Sequence, residues 1–163
     1  GDPGATVARA ANSGSGHAIA AKASMAGITL YGAYAEEGTT KVTDGNDGQN
    51  VMGQIVADVG SISIGYGEWY VNEGDGGNDY STTGMSIAFN VNDDLSISYG
   101  ELEDTKEAIG ATAAVTTDVS SIQVAYSMGS MAVKAKRVET DNPYAQTTVT
   151  SDETTEISVS FSF

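Results

Sequence analysis

Two glycine-rich acidic runs have the residue types and spacing for cation chemistry. Asp44 and Asp47 lie in the first run, residues 44–48, and Asp75 and Asp79 lie in the second, residues 73–79. Carboxylate and amide oxygens at alternating positions, with glycines for tight turns, are the ligands that Ca²⁺ takes. Neither run has the glutamate that completes an EF-hand loop. Both are therefore more typical of ordinary acidic loops, and the sequence predicts no cofactor.

The basic residues form a second group. Lys134 and Lys136 alternate with Val133 and Ala135, so both lie on one face of a strand. By the same alternation Lys22 lies on that face of an earlier strand. This placement predicts a local positive patch. The alternative is that the lysines are simply solvated or pair with Glu156.

Catalytic chemistry has little support. His17 is the only histidine, and it stands in a Gly-Ser-Gly context without a nucleophile-elbow pattern. The glycine runs lack the Lys-Ser/Thr ending of a phosphate loop. We therefore expect that the protein is not an enzyme.

The composition excludes several classes. The chain has 163 residues, 22 acidic and 7 basic side chains, a net charge of −15, 20 glycines and no cysteine. Such acidity argues against a nucleic-acid partner, and no disulfide or thiolate site is possible. No apolar run approaches the roughly 18 residues of a membrane-spanning helix. Residues 1–16 lack the blocks of a signal peptide.

A period-two alternation of apolar residues runs through the chain. Ile157, Val159, Phe161 and Phe163, for example, alternate with serines. This period is that of strands with one apolar face. It predicts nine strands, most of about ten residues, which is long for a soluble strand but long enough to cross a bilayer when tilted. The predicted strands cover 17–26, 28–37, 50–59, 61–71, 80–91, 95–102, 116–128, 131–139 and 154–163.

Short and long connections alternate strictly between these strands. In an antiparallel up-and-down meander, all short turns then lie at one end and all long polar loops at the other. The acidic side chains follow this division and belong mostly to the long-loop end. They are Glu36, Glu37, Asp44, Asp47, Glu73, Asp75, Asp79, Glu103, Asp104, Glu107, Asp118, Glu139, Asp141, Asp152 and Glu153.

The second face of the strands is small or neutral and polar, with Gln54, Gln123 and many serines and glycines. Strands with one apolar face and one small, polar face are typical of a barrel whose outside meets lipid and whose inside meets water. The sequence therefore predicts an all-β fold, a transmembrane antiparallel up-and-down β-barrel. Aromatic residues near the strand ends form the two expected interfacial girdles: Tyr34, Trp69, Tyr70 and Tyr99 at the loop end, and Phe89, Phe161 and Phe163 at the turn end. Arg137 has the lipid-facing parity, and we expect it to reach a headgroup phosphate. A soluble secreted acidic β-sandwich is the alternative.

The C-terminus resembles a known signature. A terminal Phe163 preceded at alternate positions by Ile157, Val159 and Phe161 resembles the last strand of bacterial outer-membrane β-barrel proteins. The stretch Ala-Gly-Ile-Thr-Leu-Tyr-Gly-Ala-Tyr, residues 26–34, and the acidic loops are similar to those of general diffusion porins of the alphaproteobacterial type.

This resemblance implies a function and a set of partners. It implies a bacterial outer-membrane porin for passive diffusion of small hydrophilic solutes and ions, usually a homotrimer. The partners would be membrane lipid, lipopolysaccharide and, through residues 157–163, the barrel-insertion machinery. In such porins a basic wall faces acids on a constriction loop, and Lys22, Lys134 and Lys136 would belong to that wall.

The odd strand count leaves two arrangements open. Residues 1–163 are expected to be the C-terminal part of one barrel near sixteen strands, with 1–16 as the tail of an extracellular loop. Alternatively, eight strands close alone into a small outer-membrane barrel with a structural or adhesion role.

Overall fold

A single antiparallel sheet accounts for the secondary structure of the computed structural model, which describes residues 16–37, 48–74, 78–107, 113–143 and 151–162. Within these ranges the chain forms nine strands in one sheet, ordered as in the sequence. The predicted all-β, antiparallel up-and-down arrangement is confirmed. The strands are β1 (Gly16–Met25), β2 (Ile28–Glu37), β3 (Gly48–Val59), β4 (Ile62–Asn72), β5 (Asp79–Asn90), β6 (Leu95–Lys106), β7 (Val115–Met128), β8 (Met131–Asp141) and β9 (Ser151–Phe161).

Several predictions fall outside the described ranges. Asp44, Asp47 and Asp75 of the acidic runs, Phe163 of the C-terminal signature and almost all of the 1–16 tail belong to this group. Among the described residues, no helix is long and apolar enough to cross a membrane.

The strands extend further at the loop end than the alternation predicted. β6 ends at Lys106, not at residue 102, and β9 begins at Ser151, not at residue 154. Polar cross-strand contacts accompany these extensions. At β6, Thr82 donates to the Asp104 carboxylate at 2.5 Å and the Thr105 and Thr116 hydroxyls are 2.9 Å apart, and in β9 Glu153 binds Arg137 of β8 at 2.8 Å. Glu103, Asp104, Asp152 and Glu153 therefore lie in strands, and their assignment to loops was wrong.

Tight turns join the strands at the opposite end. Ala26 and Gly27 both have positive φ, 51° and 80°, the combination of a type I′ turn. At Gly60 and Gly129 a positive φ at the first turn position fits type II′. In the four-residue connection after β5, the Asn92 side chain accepts hydrogen bonds from the amides of Asp94 and Leu95, each at 2.9 Å.

At the turn end, each hairpin extends two residues further than the hairpin before it. Ile28, which begins β2, is in register with Ile64, the third residue of β4, and Ile62 stands in the same relation to Ile97 of β6. Accordingly the carbonyl of each turn accepts a hydrogen bond from the next hairpin, as from Asp58 N to Gly27 O at 2.7 Å. A shift of one residue per strand, about 3.4 Å over a spacing of about 4.8 Å, is a slope of about 35°.

The two edge strands leave the described sheet open. β1 pairs with β2 along its whole length, from Gly16 opposite Glu37 to Met25 opposite Ile28. The edge of β2 is thus occupied and not available to β9, contrary to the eight-strand closed barrel. β1 and β9 both run from the loop end to the turn end, so they would be parallel if brought together.

The described residues form no hydrophobic core. None of their hydrophobic side chains is buried, and Ile64, Ile87 and Val159 are about half exposed, at 52%, 45% and 53%. A single sheet layer has one apolar face and needs something else to cover it.

The first turn offers a test of this hairpin geometry. A Cβ on Gly27 would lie 2.6 Å from the Asp58 carbonyl oxygen, whereas one on Gly60 would meet nothing within 4 Å. We expect Gly27→Ala to lower the free energy of unfolding by about 3 kcal/mol, and Gly60→Ala, which has only the backbone strain, by about 1 kcal/mol. Urea unfolding in detergent micelles, followed by circular dichroism, measures both. Equal losses would contradict the close approach of the two hairpins.

Candidate functional site

The apolar face of the sheet is the first half of the candidate site. We define it by the row that crosses seven strands in register: Ile28, Ala57, Ile64, Ile87, Tyr99, Ile122 and Arg137. Every exposed large hydrophobic side chain in the described strands lies on this face, except Leu102. This band is continuous from β1 to β9, so its covering must also be continuous.

The polar face is the second half. We define it by the row Gly65, Ser86, Gly100 and Ser121 on β4 to β7. Gly65 and Gly67 are buried, whereas Ile64 and Tyr66 beside them are exposed. Exposure is therefore greater on the apolar face, the reverse of a soluble sheet, and this is expected of a sheet that curves towards its polar face.

A repeated tyrosine–glutamate pair marks the margin of the apolar band at the loop end. Tyr34 donates to Glu36 at 2.6 Å and Tyr66 to Glu68 at 2.5 Å, and Tyr99 donates to Glu101 in the same way. The partners are two residues apart, so they share a face of the strand. The pairs lie on β2, β4 and β6, which all run from the turn end to the loop end. Each gives the phenol a polar partner just where the apolar band ends.

Beyond this margin the same face carries a carboxylate belt. Its members stand on seven different strands in register positions that share the apolar face: Glu36, Glu68, Asp79, Glu101, Glu103, Asp118, Glu139, Asp141 and Glu153. The acidity was correctly expected at the loop end. It is, however, largely a property of the strand ends and not of the loops alone.

Arg137 lies on the apolar face of β8, as its parity predicted, just beyond the loop-end margin of the band. Its guanidinium contacts Glu139 at 2.5 Å and Glu153 at 2.8 Å. Two carboxylates of the belt therefore hold Arg137, and the predicted phosphate contact stays a prediction.

The predicted lysines lie on the polar face but not in one cluster. Lys136 forms an ion pair with Glu156 at 3.2 Å, opposite Gln123, and Lys134 lies between Ala125 and Ser158. These side chains line a depression of about 330 Å³. Lys22 is far from this depression, on β1. Its ammonium lies 5.1 Å from the centre of the Tyr31 ring, and Tyr31 is paired with Gln54 on β3.

The C-terminal residues occupy the apolar face of an edge strand. Ile157, Val159 and Phe161 are 70%, 53% and 59% exposed on β9. They pair with Ala135, Val133 and Met131 of β8, and the other side of β9 has no partner among the described strands.

Trp69 lies on the polar face, so its prediction as a girdle residue was wrong. It alternates with Glu68 and Tyr70, which are both on the apolar face. The tyrosines of the predicted loop-end girdle are on the apolar face as expected. The alternation could have placed Trp69 correctly, since its sequence neighbour Tyr70 was assigned to the same girdle.

Metal and acid–base candidates are dispersed. Asp79 accepts a hydrogen bond from Tyr70 at 3.3 Å, and His17 lies 3.9 Å from Glu36 at the edge of the sheet. Within the described ranges no three histidine, aspartate or glutamate side chains converge as metal ligands would.

In comparisons with known proteins, no family model matches the chain, and no curated protein matches its sequence at a significant level.

The tyrosine–glutamate pairs predict a selective effect of removing one hydroxyl. Tyr66→Phe removes the donor to Glu68, and we expect the urea midpoint of unfolding to fall several times further than in a matched control. Tyr126 is the matched control, because it is similarly exposed on the same face and its hydroxyl meets no hydrogen-bond partner in the described chain. We expect Tyr126→Phe to change stability by a few tenths of a kcal/mol. Urea midpoints in micelles that are the same for both variants would contradict a role for the pair.

Proposed function

We propose that the chain forms part of the wall of an outer-membrane β-barrel pore, through which small hydrophilic solutes and ions diffuse passively. One observation carries this proposal: a continuous band of exposed apolar side chains on one face of a single-layer sheet, opposite a face of glycine, serine and glutamine. A transmembrane barrel needs this division, since one face meets lipid and the other meets water.

The slope of the hairpins supports the membrane assignment. Glu139 on β8 is in register with Leu30 on β2, six residues nearer the turn end than Glu36. The turn side shifts equally, because Arg137 is in register with Ile28 while β8 begins six residues earlier, at Met131. Both margins of the band are thus inclined by about 35° from the perpendicular to the strands. The strands would then tilt by about 35° from the membrane normal, within the tilt of about 35–45° in transmembrane barrels.

Closure of the pore requires strands beyond the described sheet. Because β1 and β9 run in the same direction, an all-antiparallel ring needs an odd number of further strands between them. Seven would give the sixteen-stranded barrel that we expect of a porin. The exposed edges of β1 and β9 are the surfaces that these strands would cover.

The partners follow from the same arrangement. The apolar band would contact membrane lipid, and the carboxylate belt would lie at the level of the lipopolysaccharide headgroups. We also propose that the Ile157–Phe163 strand is read by the barrel-insertion machinery and that the assembled pore is a homotrimer.

Cysteine labelling tests the membrane orientation, because the chain has no cysteine of its own. Ile87 and Ala88 are consecutive on β5 and lie on opposite faces, in the middle of the band. In lipid vesicles we expect Ala88→Cys to react with a charged, water-soluble maleimide and Ile87→Cys to be protected by at least about tenfold. Unfolding in detergent and urea is the control and should make the two equally reactive. Equal labelling in vesicles would overturn the membrane assignment.

A charge change on the polar face tests the pore. Lys134 is on the polar face and Arg137 on the apolar face of the same strand. With the native assembled pore in a planar bilayer under a salt gradient, we expect Lys134→Gln to move the reversal potential towards cation preference, since it removes positive charge beside the permeating ions. Arg137→Gln should leave the potential unchanged. A shift of equal size in both variants would contradict the assignment of the faces.

A further inference from the structure

The only tryptophan of the chain lies against two glycines on the polar face. A Cβ on Gly67 would be 2.9 Å from Cη2 and 3.3 Å from Cζ2 of Trp69, and a Cβ on Gly84 would be 3.2 Å from Cζ3. Gly67 is on the same strand as Trp69, and Gly84 lies opposite Gly67 on β5. The ring therefore extends along β4 and across to β5, so one π face is against the sheet and the other faces away from it.

Uncharged polar side chains lie on one side of this ring, on the polar face. A depression of about 180 Å³ adjoins the indole, and the polar-face residues that line it are Gln54, Gly65, Gly67, Trp69, Gly84 and Ser86. Tyr66, Met85 and Glu101 also line it, but their register positions belong to the apolar face. The Gln54 amide supplies donors and an acceptor, and the Ser86 hydroxyl supplies one donor and acceptor sites. The described polar-face lining thus combines an aromatic surface with hydrogen-bonding groups and no ionised side chain.

We propose that Trp69 and this depression form a subsite for the pyranose ring of a neutral sugar. The electron-rich face of an indole attracts the weakly positive C–H groups on one side of a pyranose ring. The hydroxyls at the ring edge would bond to Gln54 and Ser86, and a neutral ligand suits a lining without charge. The proposal rests on the proposed function, in that the polar face is the wall of a water-filled channel through which a sugar reaches Trp69.

The two glycines provide variants that move the ring without removing it. Gly67→Ala places a methyl group 2.9 Å from the end of the flexible Trp69 side chain and 3.3 Å from the Gly53 carbonyl oxygen, so we expect the indole to be displaced with a backbone shift of only a few tenths of an ångström. Gly84→Ala acts on the same ring from the next strand. Gly100→Ala is the matched control, because it is on the same face and its Cβ would meet only ordinary contacts, the nearest at 3.5 Å.

Trp69 fluorescence reports binding directly, since no other tryptophan contributes. We titrate the full chain in micelles with maltose and, as control, with sorbitol, which has similar hydroxyls but no ring. We expect a saturable change in emission with maltose only, an affinity at least about fivefold weaker in Gly67→Ala and Gly84→Ala, and no change in Gly100→Ala. An absence of saturation with maltose, an equal response to sorbitol, or wild-type affinity in both Gly67→Ala and Gly84→Ala would overturn the subsite.

The pore and the subsite fail in distinguishable ways. A pore that conducts ions in a planar bilayer while maltose neither changes Trp69 emission nor reduces the current overturns the subsite alone. Saturable maltose binding by a protein that does not conduct supports the subsite and overturns the pore.

Discussion

A sheet of one layer must find a cover for its apolar face outside itself, and the other features of this structure depend on that constraint. Apart from the outer edges of β1 and β9, the backbone groups pair from strand to strand, yet the described residues have no buried hydrophobic side chain. Burial of apolar surface contributes about 25 cal/mol per Å² and is the main driving force of folding. Here that contribution is not made inside the sheet, so it has to come from a lipid phase or from another protein surface.

The two margins of the apolar band shift together across the sheet, as a cover with two parallel boundaries would require. The tyrosines and carboxylates at the loop end and the turns at the other end have no contact with each other. They nevertheless shift by the same six residues between β2 and β8. A protein partner could follow any outline, whereas a bilayer presents two parallel planes. Strands that cross two planes at a constant tilt produce equal shifts at both margins, which favours the bilayer.

The sequence predicted the strands wherever side-chain type reported on the environment. Alternation of large apolar residues with serine and glycine located all nine described strands, and glycine, asparagine and aspartate located the turns. It could not locate the end of β6 or the start of β9, because the residues there, such as Asp104, Thr105 and Asp152, are polar on both faces of the strand and only cross-strand pairing keeps them extended. It also could not find the contacts of Trp69, because Gly84 is fifteen positions away along the chain and only the register of β4 and β5 brings it close.

The small side chains of the polar face have two different consequences. Along most of this face, glycine and serine leave space, as a wall beside a water-filled lumen requires. At Gly67 and Gly84 the same absence of a Cβ lets the largest side chain of the chain lie down on the backbone. If the ring served only to fill the space over these glycines, any apolar side chain of suitable volume would be sufficient. The indole also turns one π face towards the side from which solutes would arrive, beside an amide and a hydroxyl, and this combination is what favours recognition over packing.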